Sequence, residues 1–327
     1  MSRAAVVEAI RRASRITAIC HENPDADTVG SALALRMAVE RLGKQAEVVA
    51  ADPLPPSLLD LPGASDVRRV PQLEPDLAIV LDGPLSRTGA VVTDAADWLA
   101  RARIVNIDHH VSNDGEGASV AWVDPAAAAT CEMIALLIPD LGLEIDAEIA
   151  TLLTAGIVQD THTFSHPNAT PRTLRVAADL MEAGAPLSAI HKSIYADKPF
   201  GTLALWGRIM AGIAQRRDGR IVHASMTTAM LAETGTQPVE SEGLIDVLAS
   251  SKTADVTVLF KEVDASHVRV SVRTSARADA VAITGAFGGG GHARAAGCSI
   301  DAPLATAVAR LLDESERELD RADARGR

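Results

Sequence analysis

Apolar residues in the first part of the chain follow two alternating patterns. Short runs rich in Val, Ile and Leu are followed by stretches in which apolar residues recur at helical spacing. This order of strands and helices is typical of an open α/β sheet. The predicted strands cover residues 15–20, 46–50, 77–81, 103–107 and 119–123. The predicted helices cover 1–13, 28–42, 130–138, 147–158 and 171–183.

The pattern changes after residue 186. Residues 188–214 predict a connecting helical segment. Two hairpins are then predicted over 214–226 and 256–273, because each pair of apolar runs is joined by a short polar turn.

This change of pattern predicts two domains. Residues 1–186 are expected to form an α/β domain with an open, mostly parallel sheet, and 210–327 a smaller α/β domain. A helical linker at 187–209 would join them, with an active-site cleft between the domains. The polar end, 315–327, is predicted to be a helix end with a frayed tail.

Composition narrows the classes of partner. The formal net charge is -12, and the chain has four Phe, three Trp and one Tyr. A protein that binds a long nucleic acid normally carries a basic stripe and aromatic stacking surfaces, so we expect no long nucleic acid as a ligand. An acidic surplus instead suits divalent cations, which bind carboxylate oxygens and then attract phosphate.

The compartment is predicted from what the chain lacks. No window is apolar enough for a membrane span, and no apolar core with a cleavage site follows the N-terminus. The three cysteines have neither disulfide-type nor metal-type spacing. We therefore expect a cytoplasmic protein without a membrane partner.

Polar residues follow several predicted elements at positions where ligands gather. They are His21, Asp25 and Asp27 after the first strand, Asp82 after the third, Asp108, His109 and His110 after the fourth, and Asp160 after the helix at 147–158. Singly, each has an ordinary explanation, such as Asp27 capping a helix or Asp82 forming a turn. Together they converge, because the carboxyl ends of parallel strands share one edge. This set of carboxylates and imidazoles suits two divalent ions.

These segments resemble the motifs of the DHH family of phosphoesterases. The pattern His21-x-Asn23-Pro24-Asp25-x-Asp27-x-x-Gly30-Ser31, with Asp82, Asp108-His109-His110 and Asp160, is similar to the family's four motifs. The segment FGGGGHARAAG at 287–297 resembles the Gly-Gly-Gly-His motif of the DHH-associated domain. The resemblance covers nearly the whole chain. It is strongest with the small nanoRNases, which hydrolyse short oligonucleotides and 3'-phosphoadenosine 5'-phosphate.

The resemblance implies a role for each residue of the first domain. His21, Asp25 and Asp82 would hold one Mn²⁺, and Asp27, Asp82, His109 and Asp160 a second, with Asp82 bridging. Mg²⁺ or Co²⁺ are expected substitutes. A hydroxide activated between the ions would attack phosphorus. Asp108 would orient the histidines, while His110 would contact the phosphate or protonate the leaving oxygen.

The resemblance also implies a phosphate clamp in the second domain. Gly289, Gly290 and Gly291 would free a backbone to wrap the anion. His292 and Arg273 would supply side-chain contacts. Relatives commonly carry an Arg within the segment that corresponds to 161–170, where this chain has none. His162 or His166 would then partly replace that basic contact, with solvent-exposed loop histidines as the alternative, and Arg294 would be a further replacement.

Several functions stay open at this point. Short oligonucleotides or small nucleotides are the expected substrates, and a homodimer is compatible with the sequence. One alternative is a phosphodiesterase for cyclic or linear dinucleotides. Another, of a different class, is a nucleotide-binding regulator without turnover. A pyrophosphatase is disfavoured by the glycine-rich motif.

Overall fold

The computed structural model describes residues 3–88, 97 and 101–325. The chain divides into two compact units, Met1–Asp197 and Lys198–Arg327. The domain boundaries predicted at 186 and 210 stay a prediction. Among the described residues, no helix combines the length and the apolar character needed to cross a membrane.

The first unit contains alternating strands and helices. They are α1 (Arg3–Arg12), β1 (Arg15–Ile19), α2 (Ala26–Arg41), β2 (Gln45–Val49), β3 (Leu77–Leu81), β4 (Arg103–Asp108), β5 (Val120–Val123), α3 (Thr130–Asp140), α4 (Ala147–Asp160), α5 (Pro171–Glu182) and α6 (Leu187–His191). Short 3₁₀ helices cover Pro56–Leu58, Ala64–Asp66 and Leu85–Arg87, and a π-helix covers Lys192–Ala196. The five predicted strands and five predicted helices of this unit are confirmed, with bounds shifted by at most two residues within the described part; residues 1 and 2 of the first predicted helix lie outside it.

The second unit is a smaller α/β structure. Its elements are α7 (Phe200–Ala211), β6 (Ala214–Arg216), β7 (Ile221–Met226), α8 (Thr228–Thr234), a 3₁₀ helix (Pro238–Ser241), α9 (Leu244–Ala249), β8 (Val256–Asp264), β9 (His267–Thr274), α10 (Ala280–Gly285), β10 (Gly290–His292), β11 (Ala295–Asp301) and α11 (Leu304–Arg325). The predicted hairpins are confirmed, since β6 pairs antiparallel with β7 and β8 with β9.

A five-stranded parallel sheet forms the centre of the first unit. Its strand order is β2-β1-β3-β4-β5. All five residues of β3 are buried, which explains the uninterrupted apolar run of that strand. The strand order reverses between β1 and β3, and ligands of open α/β sheets bind at such a point.

Helices α2 and α4 approach each other closely at two glycines. A Cβ at Gly30 would lie 2.5 Å from a backbone oxygen of α4. A Cβ at Gly156 would lie 2.4 Å from Cys131 Sγ and 2.5 Å from Asp27 Oδ1. Any larger residue would force the helices apart. The contact therefore sets the distance between the start of α2 and the end of α4.

The N-cap of α2 is Asp25, so the interpretation of Asp27 as the capping residue is wrong. Asp25 Oδ1 accepts hydrogen bonds from the backbone N–H groups of Asp27, at 3.0 Å, and Thr28, at 3.2 Å. Asp27 lies in the first turn, where the helix dipole favours a negative charge. Its carboxylate is not used in the cap and is available to other groups.

A six-stranded mixed sheet forms the second unit, in the order β10-β11-β9-β8-β7-β6. The glycine run belongs to this sheet. Residues Gly290–His292 form the edge strand β10, which pairs antiparallel with β11. A Cβ at Gly289 would lie 2.3 Å from Gly297 O, and one at Gly291 would lie 2.6 Å from Ala295 O. These two glycines are therefore required by the close approach of the backbone.

The final helix, α11, ends at Arg325, so the helix end predicted within 315–327 is confirmed. Residues 326 and 327 lie outside the described part, and the frayed tail stays a prediction. Leu319 is fully buried. Glu318 is also buried, and it accepts hydrogen bonds from Arg321 at 3.0 Å and Arg325 at 2.7 Å. The paired charges offset the cost of burying this carboxylate and extend the helix.

We expect Gly156→Ala to destabilise the first unit by about 1–3 kcal/mol, because the added methyl group overpacks the contact with Asp27 and Cys131. Urea unfolding followed by circular dichroism measures the change. Gly207→Ala is the matched control, since this helical glycine has nothing within 4 Å of the added Cβ. It should be neutral or stabilising by about 0.5–1 kcal/mol. Equal stability of the two variants would contradict the packing argument.

Candidate metal centre

Carboxylates and histidines meet at the carboxyl edge of the parallel sheet. The structure brings together all eight residues that the sequence predicted for this unit. Their ligand atoms form three groups, with all atoms of a group within 4.8 Å of one another: His21, Asp25 and Asp82; Asp27, His109 and Asp160; and Asp82, Asp108, His109 and His110. The individual role of each residue stays a prediction.

Asp82 lies between two histidines. Its Oδ2 is 3.3 Å from Nε2 of His21, and its Oδ1 is 3.4 Å from Nε2 of His109. Thr130 Oγ1 donates a hydrogen bond to the same Oδ1 at 3.0 Å. Burial would raise the pKa of Asp82, but the two histidines outweigh it and hold that pKa well below its usual range.

The backbone at Asp82 is left-handed, with φ 63°. This conformation is costly for residues other than glycine, although Asp and Asn tolerate it best. Gly83 follows with φ 152°, and the Asp82 N–H bonds to Ile107 O at 3.0 Å. The end of β3 is thus held by the neighbouring strand in a strained turn, as is common at functional sites.

His109 has the surroundings of a metal ligand. Its buried Nε2 lies 3.1 Å from Asp160 Oδ2, 3.4 Å from Asp82 Oδ1 and 3.9 Å from Asp27 Oδ2. Among the described residues, none forms a well-directed hydrogen bond with this nitrogen. An imidazole nitrogen surrounded by carboxylate oxygens in this way fits a shared divalent cation.

The charges of the cluster support the same fit. Burial would lower the pKa of His109, but Asp160, Asp82 and Asp27 outweigh it and raise that pKa to about 12. Burial and the charges of Asp82 and Asp25 raise the pKa of Asp160 to about 6 against the opposing effect of His109. Asp160 also ends α4, where the helix dipole disfavours a negative charge. His109 supplies the positive charge expected beside it.

Asp27 is fully buried and is fixed by backbone donors. Thr130 N donates to its Oδ2 at 2.6 Å, and Cys131 N donates to its Oδ1 at 2.8 Å. These N–H groups open helix α3 and favour an anion. Burial, together with the charges of Asp82 and Asp160, nevertheless raises the pKa of Asp27 well above its usual value. A cation is the group that would keep this carboxylate ionised.

His21 is held in one orientation. Its Nδ1 lies 2.7 Å from the backbone oxygen of Glu22. A proton on Nδ1 would leave Nε2 as the nitrogen that faces Asp82 and Asp25. Burial would lower the pKa of His21, but the two carboxylates outweigh it and raise that pKa to about 10.

Asp108 anchors the loop after β4. Its Oδ1 accepts hydrogen bonds from the backbone N–H groups of His109 at 2.7 Å and His110 at 3.1 Å, and it lies 2.7 Å from Nδ1 of His110. That contact raises the pKa of His110. The buried Asp108 therefore fixes both the loop and the imidazole of His110.

Two asparagines that the sequence analysis missed complete this network. Asn113 donates to Asp108 Oδ2 at 2.6 Å and to Asn106 Oδ1 at 2.8 Å. Asn106 in turn donates to Gly83 O at 2.8 Å. The network therefore connects the turn after β3 with that after β4. A signal was available, since Asn113 follows His110 by three residues and asparagine favours such turns.

The segment at 161–170 has no arginine, but Arg87 lies beside the cluster. Its backbone oxygen accepts a hydrogen bond from Glu22 N at 2.6 Å. Arg87 Cδ and His21 Cβ lie 4.0 Å and 3.8 Å from the position that a Cβ on Gly83 would occupy.

The residues predicted to form the phosphate clamp lie in the second unit. Arg273 Nε donates to Asp246 Oδ1 at 2.8 Å in a partly exposed pair, which a competing anion would exchange at little cost. Arg294 bonds to the backbone oxygens of Ser275 and Ala278. It therefore supports the local turn, and its replacement of the missing arginine stays a prediction.

The fold and the cluster define a two-domain α/β phosphoesterase. Residues 15–157 match the N-terminal domain of the DHH family, and residues 218–320 match the DHHA1 domain. The chain belongs to the DHH family, as the sequence motifs predicted.

Two relatives cover almost the whole chain. The Bifunctional oligoribonuclease and PAP phosphatase NrnA of Thermus thermophilus is 33% identical over 304 residues, which are 92% of this chain and 89% of the relative. The protein of the same name from Bacillus subtilis is 28% identical over 283 residues, which are 86% of this chain and 87% of the relative.

Solved structures share the fold. An exopolyphosphatase-related protein from Bacteroides fragilis superimposes with a TM-score of 0.90 at 21% identity, over 98% of this chain and 97% of that one. RecJ from Thermus thermophilus aligns with a TM-score of 0.51 at 14% identity, over 98% of this chain and 52% of RecJ.

We expect Asp82→Ala to remove two bound divalent ions rather than one, because Asp82 faces both histidines. Metal content after dialysis and calorimetric titration with Mn²⁺ measure the loss. Asp25→Asn and Asp160→Asn are the controls, since each lies in one ligand group and should weaken one ion. Retention of two ions by Asp82→Ala would refute the bridging role.

Proposed function

We propose that this protein hydrolyses short oligonucleotides and 3'-phosphoadenosine 5'-phosphate in the cytoplasm, with two Mn²⁺ ions as cofactors and Mg²⁺ or Co²⁺ as substitutes. The observation that supports this proposal is that Asp82 faces a histidine of each of the two ligand groups. The names of the two NrnA relatives support the same substrates, since their sequences align over most of this chain.

The metal cluster would prepare both the phosphate and the nucleophile. His21, Asp25 and Asp82 would hold one ion, and Asp27, Asp82, His109 and Asp160 the other. When bound, two divalent cations would supply positive charge for the phosphate oxygens and lower the pKa of a water molecule to provide the nucleophile near neutral pH.

His110 would act on the leaving group. Because Asp108 lies 2.7 Å from its Nδ1 and raises its pKa, a protonated imidazole is favoured. The remaining ring nitrogen, Nε2, would donate its proton to the departing oxygen, while Asp108 and Asn113 keep the ring oriented.

The second unit would select the substrate. We propose that residues 210–327 bind its terminal phosphate through His292, the partly exposed Arg273 and the backbone of β10, and that 187–209 act as the linker. The net charge of -12 disfavours long strands, whose additional phosphates would meet an acidic protein. Family membership and the complete ligand set favour this reading over a regulator without turnover.

We expect catalytic efficiency to be highest for oligonucleotides of roughly two to five residues and to fall on longer strands, because added phosphates would meet a protein with a net charge of -12. Turnover of dinucleotides, strands of about 20 residues, 3'-phosphoadenosine 5'-phosphate, cyclic dinucleotides and pyrophosphate should be compared in Mn²⁺. Excess chelator should abolish all activity. A preference for the longest strand, or full activity in chelator, would overturn the proposed function.

His292→Ala should raise KM for short substrates and leave the metal content unchanged, because His292 belongs to the second unit. The control is Thr306→Ala, a substitution in helix α11 of the same unit. Unchanged kinetics of His292→Ala would remove this residue from the clamp without affecting the assignment of the metal centre.

His110→Ala should lower kcat on a dinucleotide by about 10²–10⁴, because the leaving ribose oxygen needs a proton. An ester with a p-nitrophenolate leaving group, which departs without protonation, should lose far less. His267→Ala is the control, since this histidine pairs with Asp301 on the surface of the second unit. Equal losses on both substrates would argue against proton donation by His110.

A further inference from the structure

The carbonyl groups at the carboxyl end of helix α4 accept hydrogen bonds from side chains and from the turn that follows. A helix normally leaves its last carbonyl groups without intrahelical partners. Here Thr161 N bonds to Ile157 O, Thr163 N to Val158 O at 2.8 Å, and His162 N to Gln159 O at 3.1 Å. Asn168 Nδ2 donates to Asp160 O at 3.2 Å. The position of Asp160 therefore depends on these surrounding contacts.

The turn after α4 has a strained backbone. His162, Thr163 and Phe164 all have left-handed conformations, with φ of 46°, 54° and 63°. Each such residue costs about 1–2 kcal/mol when it is not glycine. A run of three needs external support to persist. Part of that support comes from Thr161, whose backbone oxygen accepts from Ser165 N at 2.9 Å.

Tyr195 connects the next part of the chain with this helix end. It is the single tyrosine of the sequence and lies in the π-helix at Lys192–Ala196. Its hydroxyl donates toward Gln159 O at 2.9 Å and Val158 O at 3.3 Å. Its ring centroid is 4.6 Å from that of His162. One side chain thus contacts both the last turn of α4 and the strained segment.

A second contact joins the same two segments. His191 Nδ1 lies 2.7 Å from Thr163 Oγ1, and the ring of His191 is 5.5 Å from that of Tyr195. The connecting segment is therefore fastened to the turn after α4 at two points. Irregular helices of the π type are frequent at functional sites, where they place side chains that a regular helix would not.

We propose that Tyr195 is a positioning residue that fixes Asp160 for metal binding through the last turn of α4. The inference rests on the proposed function only in taking Asp160 as a metal ligand. Tyr195 contacts the carbonyl groups of the two residues that precede Asp160, while His109 faces the Asp160 carboxylate at 3.1 Å. Loss of the hydroxyl would release the helix end and let the carboxylate move away from His109.

The effect should be confined to one of the two ions. Tyr195→Phe keeps the ring and its contact with His162 but removes the hydroxyl. In an Asp25→Asn background the ion near Asp160 is retained. There, Tyr195→Phe should weaken Mn²⁺ binding by roughly 10-fold, which is the loss expected when a residue that supports a metal ligand is removed. In an Asp160→Asn background it should leave the affinity of the remaining ion unchanged.

Calorimetric titration with Mn²⁺ in the absence of substrate measures both affinities. Trp206→Phe is the matched control, since it also removes one donor to a backbone carbonyl, Glu240 O at 2.9 Å, but in the second unit. An unchanged affinity in the Asp25→Asn background, or equal weakening in both backgrounds, would overturn the proposal. Unfolding midpoints of Tyr195→Phe and Trp206→Phe should be similar, and a large drop for Tyr195→Phe alone would indicate a general structural role and also overturn it.

Activity gives a second measurement. At limiting Mn²⁺, Tyr195→Phe should lower kcat without raising KM for a dinucleotide, and saturating Mn²⁺ should restore it. Failure of saturating Mn²⁺ to restore kcat would contradict the proposal. Because the titration uses no substrate, a chain that binds Mn²⁺ but hydrolyses no oligonucleotide would sink the proposed function while leaving the test of Tyr195 intact.

Discussion

Repulsion between buried carboxylates is the constraint on which this structure depends. Asp27, Asp82 and Asp108 are almost fully buried at one edge of the sheet, and Asp160 lies beside them. Burying a charge is costly unless it is paired or hydrogen-bonded. Backbone N–H groups hold Asp27 and Asp108, while His109 opposes the charge of Asp160. These donors only partly balance the charge, so the arrangement is suited to divalent cations.

The scaffold keeps these groups close by using rigid elements. Each ligand side chain lies at or just after the end of a strand, near the start of α2 or at the end of α4, and sites built on such elements are more precise than sites on loops. Gly30 and Gly156 allow those two helices to approach, and Asn106 and Asn113 connect the turns after β3 and β4. Residues that contact no substrate therefore decide the spacing of those that would.

The glycine-rich motif of the second unit has a structural role in the sheet. Its glycine run forms an edge strand, in which Gly289 and Gly291 make room for the neighbouring backbone. Arg294 supports a local turn, whereas Arg273 makes a partly exposed ion pair with Asp246 and a long hydrogen bond of 3.4 Å to the backbone oxygen of Val272. Of the two arginines, Arg273 is thus the one that could turn to a phosphate without loss of structure.

The strands of the first unit and the residues of the cluster were predictable from the sequence, because apolar periodicity and ligand-type side chains are local properties. The family was predictable from the resemblance of its motifs. The sequence left open whether Asp27 caps α2, and the structure assigns the cap to Asp25, whose Oδ1 accepts hydrogen bonds from the N–H groups of Asp27 and Thr28. Asn113, Arg87 and Tyr195 became visible only in the tertiary structure. Their importance lies in contacts with residues distant in the chain, and folding alone decides which distant residues meet.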